Sequence, residues 1–422
     1  MKKTIIVWCL FLFVASTGFG QWCQTFVKNI SNTSYDCTTI STNFRFMNNG
    51  IFSWKNKPFY ITSTGNDLVV YDINGSYAAN PRRVTGSAFH VPNQGDSDYD
   101  LLNFSVCDEC QYGTANFKLG LVIFSFIGNV NPVFSIHARF PEASSAHSSP
   151  VFKFNEKTYM LSNGLSDGCS DGTAGLYLIT NDGIETIPQR IACVHKINGS
   201  TLSVYSGLRI SENILWVTDQ NNVINAFSIT GNDVSVSLSP VQMPVSIRAA
   251  SGSGMSVDRD ENLVVTAAYP FPNYGVKVWD ITNPVQPQLV WSKSDARVNI
   301  ASIKYPFIFT ARNGSVYDTH VWDITDVSDT VELDINNNGF WNLTNQWNAY
   351  PCQWDYSGVL HPEQKYLYFV RYSVDQVYNL SQCVSTPTPT PLPTPTPTPI
   401  PTPTPTHVIF QDGFESGDTS AW

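Results

Sequence analysis

Between residues 22 and 384 the apolar and polar positions fall into short β-length runs broken by Gly, Asn, Asp and Pro. No stretch carries the 3.6-residue apolar stripe of an amphipathic helix, which excludes a barrel of alternating strands and helices. One run type recurs: a branched or small residue, an aromatic, a short residue, then an apolar one. It reads VYDI at 70–73, IFSF at 123–126, LYLI at 176–179 and AFSI at 226–229. It returns as VWDI at 278–281 and 321–324, and as VYNL at 377–380. The third positions are Asp72, Ser125, Leu178, Ser228, Asp280, Asp323 and Asn379, spaced by 53, 53, 50, 52, 43 and 56 residues.

Each copy follows another apolar run. These are KPFYITS, LLNFSVC, KTYMLSN, NILWVTD, NLVVTAA, PFIFTAR and KYLYFVR, read as the strand before it. Turn-forming residues fill most of the gaps, as hairpins require, and several copies lead into a further short run such as QLVW at 288–291. Several strands in each period of about 50 residues predict an all-β fold, a seven-bladed β-propeller over residues 21–384. The seventh period lacks its outer strand, and TFVKNI near the N-terminus belongs to no period. The ring is therefore expected to be closed by an N-terminal strand, with Cys383 beside Cys23 or Cys37 as a pin.

The unit VKVWDITNPVQPQLV resembles the LVIVD-repeat family of bacterial exported propellers, and LVVYDINGSYAANPRRV is a looser match. VWDITDVSDTVEL lacks both prolines of the turn, and the other units keep only the strand pattern. The resemblance supports the propeller architecture. In the repeat itself, Asp280 and Asp323 are expected to accept turn hydrogen bonds, Pro284 to fix the next corner, and Trp279 and Trp322 to pack between blades.

Composition agrees with strands. The chain is 42% hydrophobic, 13% aromatic and only 14% charged, too little charge for long solvated helices. A net charge of -10 without a basic cluster excludes nucleic acid as a partner. Lys2 and Lys3, the apolar run from Ile5 to Val14 and the site at Gly18-Phe19-Gly20 predict a signal peptide over 1–20, and no later segment is apolar enough to insert into a membrane. A secreted or cell-surface, monomeric protein is expected. Residues 385–406 are a Pro/Thr-rich linker, expected to be disordered and extended over roughly 60–70 Å. Residues 407–422 form a short tail motif that resembles the F-x-D-G-F-E-S-G-D-x-S-A-W ending of many exported bacterial proteins.

Eight cysteines follow the leader: Cys23, Cys37, Cys107, Cys110, Cys169, Cys193, Cys352 and Cys383. An even count in an exported chain points to structural disulfides, and the single CxxC at 107–110 lacks the second pair a zinc site needs. The loops CDECQYGTANFKLG, NGLSDGCSDGTAG, AYPFPNYG and ARNGSVYDT are expected on one rim, made by second-to-third-strand loops, with Cys107, Cys110, Cys169 and Cys193 stiffening it.

No cofactor or metal is expected. Asp334, Asn336, Asn338 and Gly339 resemble the start of a calcium loop, but Asn345 stands where a bidentate Glu belongs, so an Asn/Gly turn is the preferred reading. Asp167 and Asp171 are read with the same caution. The seven His residues form no HExxH, SGSGMS lacks the setting of a nucleophile elbow, and Asp258/Asp260 read as a solvated exposed hairpin. These features predict a non-catalytic propeller that binds an unknown protein or glycan through its loop-rich rim. The alternative is an extracellular hydrolase or lyase with its site in the central channel.

Overall fold

The computed structural model describes residues 21–22, 26–29, 49–64, 67–90, 101–107, 111–117, 120–140, 149–163, 165, 169–181, 186–232, 235–250, 254–268, 275–294, 298, 300–312, 315–334, 356–363, 365–371 and 374–382. Their strands form seven sheets, the seven blades of a β-propeller. Blade 1 is the antiparallel meander Asn49–Trp54, Lys57–Thr64, Asp67–Asp72 and Arg82–His90. Blade 2 runs Leu101–Val106, Tyr112–Phe117, Gly120–Ile127 and Val133–Phe140. Blade 3 is Val151–Phe154, Lys157–Ser162, Ala174–Asn181 and Thr186–Val194. Blade 4 is Val204–Ser211, Ile214–Asp219, Ile224–Gly231 and Val236–Val241. Blade 5 is Met255–Asp258, Leu263–Ala268, Gly275–Asp280 and Gln288–Lys293.

Blade 6 comprises Ile300–Lys304, Phe307–Arg312, Ser315–Asp323 and Val331–Asp334, with Gln21–Trp22 added in parallel at its outer edge. That fifth strand has no counterpart in the sequence reading. Blade 7 has Tyr356–Leu360, Tyr366–Arg371 and Val374–Asn379, and Phe26–Asn29 pairs antiparallel with the last of these. Cys23, Cys37 and Cys383, proposed to pin this region, lie outside the described residues, as do residues 1–20 and 385–422.

The recurring VYDI-type run is the third strand of every blade, and the turn after it has a side-chain cause. Asp72, Asp280, Asp323 and Asn379 each accept, at Oδ1, the N–H two residues on, at 3.0, 2.7, 2.9 and 2.9 Å. The repeated aromatics are interblade packing. Trp279 of blade 5 sits in a buried cluster with Ile210, Trp216 and Ile224 of blade 4. Trp322 of blade 6 packs with Leu263 and Val265 of blade 5, its ring 5.7 Å from that of Trp291. Their indole N–H groups donate to Thr266 Oγ1 and Thr310 Oγ1 on the neighbouring strand, at 3.0 and 3.3 Å. Between blades 1 and 2, the Phe52 and Phe126 rings stack at 4.2 Å.

One strand assignment from the sequence is corrected. LLNFSV is the first strand of blade 2, and the second is Tyr112–Phe117. Cys107 therefore sits at a first-to-second hairpin, on the rim opposite Cys169 and Cys193, and the four cysteines do not share one rim. The second strand is inconspicuous in sequence because it is built from small residues. A Cβ on Gly113 would stand 2.4 Å from the Phe124 ring and 2.8 Å from the Ser105 carbonyl, so nothing larger fits. Among the described residues no helix is long and apolar enough to cross a membrane.

Candidate functional site

An antiparallel meander sends first-to-second and third-to-outer hairpins to one rim, and second-to-third and interblade loops to the other. At the first of these rims, the last residues of the first strands enclose a cavity of about 540 Å³ on the propeller axis. Blades 1, 5, 6 and 7 supply most of its lining, with Val106 from blade 2 and Leu208 from blade 4. Its wall is apolar, from Ile51, Phe52, Met255, Val257, Ile303 and Leu360, and its lip is charged, from Asp258, Arg259, Asp260, Lys304 and Glu363.

Of the Asp258/Asp260 hairpin that the sequence suggested to be solvated, Asp260 is exposed but Asp258 is not. The Asp258 side chain is 2% exposed and that of Asp260 is 79% exposed. Lys304, one blade on, donates to Asp258 Oδ1 at 3.0 Å and to Asp260 Oδ2 at 2.6 Å, while Tyr305 N–H donates to Asp258 Oδ2 at 2.9 Å. Burial pulls the Lys304 pKa down, but the hydrogen bonds and charges of Asp260 and Asp258 outweigh it, so the ammonium is held above its ordinary value. The uncharged groups nearby are also occupied across blades. Ile303 N–H donates to Ser256 Oγ at 3.4 Å, and Leu360 N–H to Ser302 Oγ at 3.2 Å. The arrangement ties blades 5, 6 and 7 together around the axis.

On the opposite rim, the described parts of blades 3 and 4 form a hydrogen-bonded ridge. The Cys169–Cys193 disulfide joins the second-to-third loop of blade 3 to its outer strand. Thr173 donates to Val194 O at 2.5 Å and receives Leu202 N–H at 2.8 Å. Asn163 donates to Leu202 O and accepts Val204 N–H, at 2.9 and 2.6 Å. Further out, Lys196 meets Asp219 at 2.5 Å, and Arg248 donates to Asn221 O at 3.1 Å. Burial raises the Asp219 pKa, yet Lys196 and the N–H groups of Val223 and Asn221 overcome it and hold the carboxylate below its usual range.

Asp171 is not an open ligand. It accepts Thr173 N–H at 3.0 Å and faces His195 Nε2 at 2.7 Å, and these two hydrogen bonds lower its pKa. AYPFPNYG and ARNGSVYDT also lead from second to third strands, in blades 5 and 6, although residues 269–274 and 313–314 lie outside the described set. Cys107 is disulfide-bonded, while Cys110, Cys352, Asp167 and the segment from Asn336 to Asn345 lie outside the described residues. Among the described residues no three His, Cys, Asp or Glu side chains group as a metal site.

No protein-family model matches the chain, and no curated protein matches it in sequence. Three solved structures that it resembles are distant in sequence. The β-propeller domain of Cps50 (Swd1) from Myceliophteria thermophila aligns over 84% of this chain and 98% of its own, at 10% identity and a TM-score of 0.49. A candidate 6-phosphogluconolactonase from Bacteroides uniformis aligns over 79% of this chain and 92% of its own, at 10% identity and 0.48. A protein of unknown function from Desulfotomaculum acetoxidans aligns over 68% of this chain and 85% of its own, at 13% identity and 0.43. These scores carry no functional argument, and the propeller stands on the strand order of the seven sheets.

Proposed function

We propose that this chain is an exported, non-catalytic binding propeller of the LVIVD-repeat type, held on its Pro/Thr stalk and recognising a protein or glycan through the second-to-third-strand rim. The observation that carries this reading is the state of the channel lip. Both Asp258 oxygens are occupied by Lys304 and Tyr305 N–H, and the Lys304 pKa is pushed away from neutrality, whereas a general base needs a pKa brought towards it. The ridge of blades 3 and 4, in contrast, fixes exposed polar side chains such as Asp171 and His195 in place, so little ordering is left to do on binding.

The test is an array of glycans and exported proteins probed with the full-length chain, with and without chelator. Binding that weakens at least about tenfold in Asp171→Ala/His195→Ala, and persists in Asp260→Asn, is the expected result. Silence on the array together with turnover of a polysaccharide or ester panel would overturn it. The hydrolase reading is favoured by one observation, the exposed Asp260 carboxylate beside Lys304 at the cavity lip. It requires turnover that Asp260→Asn abolishes.

A further inference from the structure

The seam between blades 7 and 1 is built around a buried imidazole. His361 follows the first strand of blade 7 and is fully buried. Its Nε2 lies 3.1 Å from the Ile73 carbonyl of blade 1, and its Nδ1 accepts Glu363 N–H at 3.0 Å. A carbonyl only accepts, so Nε2 carries the proton, and Nδ1, which receives an N–H, must be bare. The neutral Nε2–H tautomer alone satisfies both contacts. Beside it, Tyr368 donates its hydroxyl to Ala78 O at 2.8 Å, and its ring stacks 5.1 Å from that of Tyr60.

We propose that His361 is a proton-sensitive latch, whose protonation opens the seam between blades 7 and 1 and reshapes the axial cavity. A second proton at Nδ1 would set N–H against the Glu363 N–H and leave a buried cation in a seam lined by rings. Among the described residues, the groups that face it do little to compensate. Blade 7 offers Glu363, which is exposed and attracts the cation weakly, and the phenols Tyr366 and Tyr368. Blade 1 offers the phenols Tyr60 and Tyr71 and the Asp72 carboxylate, which is already paired with Arg82 at 3.1 Å. Burial outweighs the Ile73 carbonyl and Glu363 and lowers the imidazole pKa, consistent with a ring kept neutral. The link to the cavity is direct, since Leu360 and Pro362, the neighbours of His361, line it along with Ile51 and Phe52 of blade 1.

The experiment is amide hydrogen exchange of the full-length protein without ligand, at about pH 7.5 and about pH 5, corrected for intrinsic rates. The expected result is a loss of protection at the lower pH in peptides covering 356–371 and 67–78, while peptides from blade 4 keep theirs. In His361→Asn, which cannot titrate, that acid-dependent loss disappears. Protection lost evenly, lost around His137 in blade 2 instead, not lost at all, or lost equally in the variant would overturn the latch. The unaltered protein decides the question even where the variant folds poorly. Exchange is read with no ligand present, so failure of the binding reading leaves this test intact.

Discussion

The seam between blades 5 and 6 and the seam between blades 7 and 1 hold adjacent blades with opposite chemistry. In the first, Lys304 lies between Asp258 and Asp260. In the second, His361 and Tyr368 reach backbone carbonyls of blade 1 as neutral donors. Each satisfies buried polar groups, but the two depend on proton occupancy in opposite senses. Lys304 has a raised folded pKa, so its contribution is complete below the unfolded value of 10.5 and is lost as pH rises through the folded one. His361 has a lowered folded pKa, so its contribution is complete above 6.5 and is lost as pH falls towards the folded value. The architecture fixes where blades meet, and leaves open which condition loosens each meeting.

The sharpest way to break the comparison is Asp258→Ala. It strands the half-buried ammonium of Lys304 and the Tyr305 N–H, and should cost about 3 kcal/mol in urea unfolding, with Asp260 remaining as a partial partner. Adding Lys304→Met should recover part of that loss, as expected when an unpaired charge and not the missing pair is the main penalty. Tyr368→Phe should cost about 1–2 kcal/mol by orphaning the Ala78 carbonyl, with little change in salt dependence. A smaller effect separates the seams by pH. Lys304→Met should flatten the alkaline limb of the thermal midpoint, while His361→Asn should flatten the acid limb just below neutrality and leave the alkaline limb unchanged. An alkaline limb altered by His361→Asn would mean that the seams are not independent.

Much of the propeller was legible because its information is local and repeated. The third strand could be found seven times since each copy carries an aromatic that packs between blades, and in four copies an Asx side chain also closes the turn within the same four letters. Trp279 and Asp280 illustrate both roles. The second strand of blade 2 escaped because Gly113, Thr114 and Ala115 show no apolar run, and the reason Gly113 has no side chain is the Phe124 ring, visible only in three dimensions. That miss moved Cys107 to the wrong rim.

The cavity lip was illegible for a different reason. Asp258 reads as a hairpin carboxylate until Lys304 arrives from 46 residues away, and His361 reads as an isolated imidazole until Ile73 meets it across 288 residues. Periodicity reports what every blade must do, whereas these pairs exist in one seam each. Motif reading therefore recovers the scaffold and misses the proton-dependent contacts.

The separation of His361 from Ile73 and of Tyr368 from Ala78, 288 and 290 residues, also bears on how the chain is made. Tyr60, Tyr71 and Ile73 emerge early in synthesis, and the surface that covers them is among the last parts of the propeller to be translated. Throughout that interval blade 1 presents a bare aromatic face to its surroundings, long before its neighbour exists. The nascent propeller thus carries an uncovered aromatic surface near its oldest end, where a chaperone or a premature partner would find it first.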